Sequence, residues 1–283
     1  MAAENPAHKY PGSGLRSLPW GAMALVSLYV SLVSGIAVAL QYQPYDACLS
    51  VIMLEQLAPY GAFFRSLHFY ASQAFFLLSI AHFLAVAPRF AEMGWAEYLR
   101  LTAVLPVTLL LLFTGYVLRA DSTGAAAGRI AEAIVLTIPF IGKTCDSLFL
   151  AISSHGLNRV FLHHVVTLGF VLLLLVWRHL QRYRVEASDY LWLVAGLAFF
   201  CALVPAPFDA DRLGQIVITG PWFFLGIQEA LRSLPTLVAG VILPGIFLIA
   251  LALLPGKYRR AASGFAVVWL AVYALLSLVA AWR

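Results

Sequence analysis

Five of the seven histidines, His68, His82, His163, His164 and His179, lie in or beside two long apolar stretches. His8 sits in a polar N-terminal tail and His155 in a connecting segment. An ionisable side chain inside a bilayer is costly, so its presence there points to function. For a single imidazole the plain reading is a hydrogen bond between helices; the spacing of the set argues for more. His68 and His82 are 14 residues apart. At 100° per residue they return to within roughly 40° of one helix face, about 21 Å apart along the axis. His164 and His179 are 15 residues apart, within roughly 60° of one face and about 22 Å apart. One apolar stretch intervenes between the two carriers, so they run in the same direction. His68 therefore levels with His164, and His82 with His179. Two pairs of opposed imidazoles are what two bis-histidine haems need, with one axial nitrogen on each face of an iron porphyrin. Zinc would ask for a third or fourth ligand, and no cysteine or carboxylate occurs at those depths. A haem-free histidine proton relay in a transporter is the alternative from another class, but a relay does not require equal depths on two parallel helices.

A flat porphyrin needs thin helices beside it. Gly21 and Gly35 in the first apolar stretch are again 14 residues apart, and Gly115 lies in the third. Glycine lets a backbone approach a cofactor closely; simple helix packing is the other role for each. Arg65, one turn before His68, is placed to neutralise a haem propionate or to snorkel to the interface.

The elements that must position these residues follow from composition. The chain has 283 residues, 62% hydrophobic and 11% charged, against about 25% charged in an average soluble domain. A soluble fold of this size could not hide so much apolar surface. Disorder, a collagen-like fibre and a disulfide scaffold are excluded by the same figures. The expected fold is all-α, a polytopic membrane protein of seven transmembrane helices, the first four forming a dihaem four-helix bundle. A crossing needs about 20 apolar residues. Seven such runs occur at about 18–42, 59–88, 96–118, 158–183, 190–206, 234–255 and 263–282. The loop 43–59 is short. The connection 119–157 is long, and its part 125–138 reads as a helix lying along the surface. Trp222–Arg232 reads as a short interfacial helix. With the N-terminus inside, the inner segments hold ten basic and five acidic residues, and the outer side holds eight of each. The net charge of +5 is thus a topology signal, not a nucleic-acid footprint, and seven spans put the C-terminus outside. No cleavable signal peptide is evident in the first 17 residues. Cys48, Cys145 and Cys201 form no Cys-x-x-Cys motif, so no zinc ribbon or covalent haem attachment is encoded; buried free thiols are the expectation.

With these residues in hand, the sequence resembles cytochrome b of the quinol-oxidising bc-type complexes. The resemblance is carried by Gly21 and Gly35, Arg65-Ser66-Leu67-His68 with His82, Thr114-Gly115-Tyr116, and Arg159 with His164 and His179. The 15-residue step from His164 to His179 is similar to the chloroplast and Gram-positive form. Ile138-Pro139-Phe140-Ile141-Gly142 is similar to the family's Pro-x-x-Gly. Ala210-Asp211-Arg212-Leu213-Gly214, Pro221-Trp222-Phe223-Phe224 and Leu231-Arg232-Ser233-Leu234-Pro235 resemble the three-helix subunit IV. The resemblance implies two parts in one chain: residues 1–187, a dihaem cytochrome b bundle of four spans, and residues 188–283, a subunit IV-like region of three. It also implies two b-type haems held by His68 with His164 and His82 with His179, and quinone or quinol as substrate. The expected role is the membrane subunit of a quinol:acceptor oxidoreductase in a bacterial cytoplasmic membrane, compatible with a homodimer.

The departures bear on mechanism. The family's outer quinol site has Pro-Glu-Trp-Tyr; here Gly220-Pro221-Trp222-Phe223 stands. Either Pro221 replaces the glutamate or the glutamate is deleted after Pro221. Both remove the carboxylate, and neither proline nor phenylalanine can act as a general base. Glu229 is a candidate substitute, with a surface charge as its plainer role. Arg119-Ala120 replaces the family's Pro-Trp, Leu101 stands where a second glycine is expected, and the chloroplast-type cysteine for an extra inner haem would fall near Pro19. The outer site therefore reads as degenerate. The redox partner is then a multihaem c-type cytochrome or, in the Q-cycle version, a Rieske protein. An inner quinone pocket is expected near Arg16, Arg182 and Asp189, each with a solvated loop charge as its plainer role.

Overall fold

A computed structural model describes residues 18–209 and 218–282. Arg16 and the stretch 210–214 lie outside the described residues. Among those described, every regular element is helical. Five helices are long and apolar enough to cross a membrane: Trp20–Ala39, Gly61–Glu92, Trp95–Val117, Leu157–Arg182 and Arg259–Trp282. Two shorter apolar helices, Ala187–Leu203 and Val238–Ala252, stand where the fifth and sixth spans are expected. Prolines shorten both. Pro205 and Pro207 stop the first of these, because proline has no N–H and disfavours helix in the residue before it. The second begins after Pro235, and its Val238–Ile242 turn is a π-helix just ahead of Pro244, which cannot complete the regular hydrogen-bond ladder.

The chain forms two compact units. The first comprises Met1–Tyr42, Ile52–Leu112 and Phe170–Pro207. Here α1 (Trp20–Ala39) packs along α3 (Gly61–Val86), after the short α2 (Ala47–Gln56) in the connection between them. Ser27, Ser31 and Ser34 make a buried small-residue seam on α1, and Ser27 and Ser34 donate back to the carbonyls of Met23 and Val30. Membrane helices approach closely on such seams. α4 (Trp95–Thr102) and the start of α5 (Val104–Val117) break at Ala103, because Pro106 has no N–H for the Thr102 carbonyl. The core takes one residue from each of four spans, Ala24, Phe75, Val104 and Leu172, with Leu28, Leu78, Leu111 and Leu175 packed against it.

The second unit comprises Gln43–Val51, Phe113–Gly169 and Phe208–Arg283. The expected helix in the long connection is α6 (Ser122–Leu136), capped by the Asp121 carboxylate accepting from Gly124 N at 2.8 Å. A second helix, α7 (Gly142–Phe149), follows, with Cys145, Leu148 and Phe149 along one side. Buried Glu132 accepts from the N–H and hydroxyl of Ser153. The fourth span starts with α8 (Leu157–Leu162), passes through a π-turn, His163–Leu168, and continues as α9 (Gly169–Arg182). α10 (Leu191–Leu203) belongs to the first unit. The expected helix at Trp222–Arg232 narrows to α11 (Leu225–Ala230). It packs on α13 (Arg259–Trp282), where Tyr273 lies over Gly226 and donates to the Phe223 carbonyl at 2.6 Å. α12 (Leu243–Ala252) meets α13 through stacked Phe247 and Trp269, ring centroids 4.4 Å apart. All three cysteines are free, but only Cys201 is buried; Cys48 is exposed.

Candidate functional site

In the first unit, α3 carries His82 and α9 carries His179, with ring centroids 6.2 Å apart and planes tilted by 57°. Two metal–imidazole bonds of about 2.0–2.1 Å on opposite sides of one metal, with each ring centre about 1.1 Å beyond its nitrogen, put the centroids about 6.3 Å apart. A separation of this size would leave room for one metal ion between the two rings. α1 makes room for it: a Cβ on Gly21 would lie 2.9 Å from His82 Cε1 and 3.0 Å from Nδ1. Only glycine lets that backbone come so close. Tyr183 lies against the other side of the His179 ring, centroids 4.9 Å apart. Among the described residues no three His, Cys, Asp or Glu side chains gather as a metal cage.

His68 sits in the same unit, higher on α3. Its Nδ1 lies 2.8 Å from the Ser31 carbonyl oxygen, and a Cβ on Gly35 would fall 2.8 Å from its Cε1. His164 belongs to the second unit, where its Nδ1 lies 2.9 Å from Thr114 Oγ1 and a Cβ on Gly115 would fall 3.0 Å from its Cε1. A metal-bound histidine gives its other ring N–H to such an acceptor, which fixes tautomer and orientation. In both rings it is Nδ1 that lies beside the oxygen. His163 is different: its nitrogens lie 3.0 Å from Thr167 Oγ1 and 3.0 Å from the Leu148 carbonyl, and Phe149 covers its ring. Both nitrogens serve local structure.

The π-turn at His163–Leu168 also accounts for the 15-residue step. A turn closed by i→i+5 bonds takes in one residue more than an α-turn. The helix therefore advances from His164 to His179 as 14 α-residues would, leaving the same roughly 40° offset as between His68 and His82.

Arg65 is buried and held by the Glu55 carboxylate, with Nε 2.6 Å from it and further bonds to the carbonyls of Ala206 and Pro207. Glu229 departs from the expected surface charge. It is 8% exposed and 3.7 Å from Arg232, because α11 lies flat against α13. Asp189 is exposed in a short turn. Arg182 pairs with Glu97 at 2.9 Å. The second unit also holds an ion cluster: buried Arg119 bonds both buried Asp121 and exposed Asp209, and Thr123 donates to Asp209 at 3.0 Å. Arg119, unusual after the third span, is its one signal in the sequence.

A family model described as cytochrome b/b6/petB matches residues 10–186. The chain belongs to this family. A cytochrome b6 of Heliomicrobium gestii is 28% identical over 178 residues, 59% of this chain and 81% of that protein. A cytochrome b of Acanthamoeba castellanii is 27% identical over 294 residues, 87% of this chain and 75% of that one. A chain of a solved hyperthermophilic respiratory Complex III shares the fold, with a TM-score of 0.70 at 22% identity over 93% of this chain and 87% of that one. The protein is thus a multi-pass membrane cytochrome of the b/b6 family, and family membership implies b-type haem and electron transport.

Proposed function

We propose that this cytochrome b-family protein is a dihaem membrane subunit of a quinol/quinone oxidoreductase, passing electrons across the membrane between a quinone pool and a partner redox subunit. One haem is held by His82 and His179, the other by His68 and His164, the second pairing resting on the sequence spacing and on each ring's own acceptor. The observation that carries the reading is the 6.2 Å separation of the His82 and His179 rings above Gly21. When bound, the haems supply one-electron transfer between two levels about 21 Å apart by helical rise. The chain supplies the rest. Ser31 and Thr114 hold the ring N–H groups of His68 and His164, and Gly21, Gly35 and Gly115 leave space beside the ligands. Arg65 is the proposed counter-ion for an acid group of the outer haem, in exchange for Glu55.

Residues 1–187 form the electron-transfer part and residues 188–283 the subunit IV-like part, in a bacterial cytoplasmic membrane with the N-terminus inside and the C-terminus outside. With Pro221 and Phe223 where the family has an acid and a phenol, the outer quinol site is degenerate and the partner is a multihaem c-type cytochrome. The burial of Glu229 in the same segment favours the second reading, a Q cycle with a Rieske partner in which Glu229 takes the quinol proton. A reduced-minus-oxidised spectrum and a haem assay test the core of the proposal. Two b-type haems per chain are expected, and one after His82→Ala or His179→Ala; no haem in the purified protein would end it. Reduction by a quinol analogue with and without each candidate partner then separates the two versions.

A further inference from the structure

At the end of the first unit that carries His82 and His179, a cavity of about 220 Å³ opens between the start of α4 and the end of α9. Ala96, Glu97, Arg100, Arg178 and Arg182 line it. The volume is that of about seven waters, enough for a phosphate group with some solvent. Three guanidinium groups face one carboxylate. Glu97 is shared between Arg182 at 2.9 Å and Arg100 at 3.9 Å, and Arg100 also donates to the Leu175 carbonyl. Among the described residues no carboxylate pairs with Arg178. Arg178 and Arg182 are four residues apart, hence within roughly 40° of one helix face. On the helix Arg178 stands about 100° and Arg182 about 60° from His179, and the Arg182 side chain is 64% exposed. The cavity therefore opens outward. Two exposed tryptophans bracket it in sequence, Trp95 at the first residue of α4 and Trp177 next to Arg178. Tryptophan concentrates at the headgroup level of a bilayer, so the cavity sits where lipid phosphates lie. Basic recesses between membrane helices recognise acidic headgroups, and arginine does so through paired N–H donors.

We propose that this cavity is a binding site for the headgroup of an acidic phospholipid such as phosphatidylglycerol, with Arg178 and Arg182 as the phosphate-binding pair and Arg100 completing the positive wall. Exposed ion pairs contribute little, so the Glu97–Arg182 pair yields readily to a phosphate. The site does not depend on the haem assignment.

The test is native mass spectrometry of the full chain from neutral-detergent micelles doped with phosphatidylglycerol, with haem content measured on the same samples. Wild type is expected to retain one phosphatidylglycerol per chain. Arg178→Gln/Arg182→Gln is expected to lower retention at least tenfold, with helical content and haem content unchanged. Arg259→Gln/Arg260→Gln, which removes a basic pair elsewhere, is expected to retain the lipid as wild type does. Three results overturn the proposal: equal retention in the first variant, equal loss in the second, or displacement by the same concentration of inorganic phosphate. Loss of haem in the first variant also overturns it, because the cavity would then serve the acid groups of the haem. An absence of haem from every sample, with lipid retention as expected, would instead sink only the haem reading.

Discussion

Gly21→Ala tests the proposed inner ligand pair with the smallest possible change. The added Cβ would stand 2.9 Å from His82 Cε1, 3.0 Å from Nδ1 and 3.3 Å from Nε2. Ordinary contact begins at 3.4 Å, so the ring must retreat by about 0.5 Å, while a metal–ligand distance tolerates about 0.2 Å. On one side of the ring is the α1 backbone; on the other, 6.2 Å between centroids, is His179. Overpacking of this kind costs about 1–3 kcal/mol, which at 1.4 kcal/mol per tenfold is roughly a 5- to 140-fold loss of haem affinity. Without a metal bond the ring can shift, so the haem-free chain bears less of that cost. Gly21 is the second residue of α1, so alanine there gains less than the roughly 0.5–1 kcal/mol of a mid-helix replacement. Haem affinity is therefore expected to fall much more than fold stability. Gly264→Ala on α13, where a Cβ meets nothing within 4 Å, should show the gain alone. Haem per chain by pyridine haemochrome, a redox titration that resolves two potentials, and a thermal melt of the haem-free protein read all three quantities. If Gly21→Ala keeps two haems with both potentials unmoved, the close approach of α1 to His82 does not serve a cofactor.

Deleting Val166 from the π-turn is expected to leave an unbroken α-helix with a 14-residue step and both haems bound. Inserting one alanine after Leu173 should swing His164 by about 100° relative to His179 and cost one haem; haem counts on the two variants check this. Thr114→Val removes the acceptor at 2.9 Å from His164 Nδ1. Losing a bond worth about 0.5–1.5 kcal/mol makes the imidazole a poorer donor to ferric iron and should raise one midpoint potential by about 20–65 mV. A fall, or a shift of the other haem, would contradict the assignment.

Much of this protein is legible in the order of its residues. Long apolar runs separated by charged loops admit helical spans and little else, because lipid offers the backbone no hydrogen bonds. The histidines at 68, 82, 164 and 179 and the glycines at 21, 35 and 115 stand out because helical geometry converts residue counts into faces and depths. The local departures were harder to see. Nothing in the composition of 163–168 marks it as a π-turn, and the prolines that shorten the fifth and sixth apolar helices act on hydrogen bonds that hydropathy does not count. The helix Gly142–Phe149 has an apolar side of only three residues, Cys145, Leu148 and Phe149, too short to stand out within a polar connection, and it packs on α6. Tertiary packing alone decided which polar groups are buried and with whom. Arg65 meets Glu55, ten residues away, and two carbonyls some 140 residues away. Glu229 is enclosed by the seating of α11 on α13, and Arg119 meets Asp209 across 90 residues. Spacing within one helix is set by covalent geometry and can be counted; the partner of a buried charge is set by which distant segment closes over it, and that is a property of the folded chain.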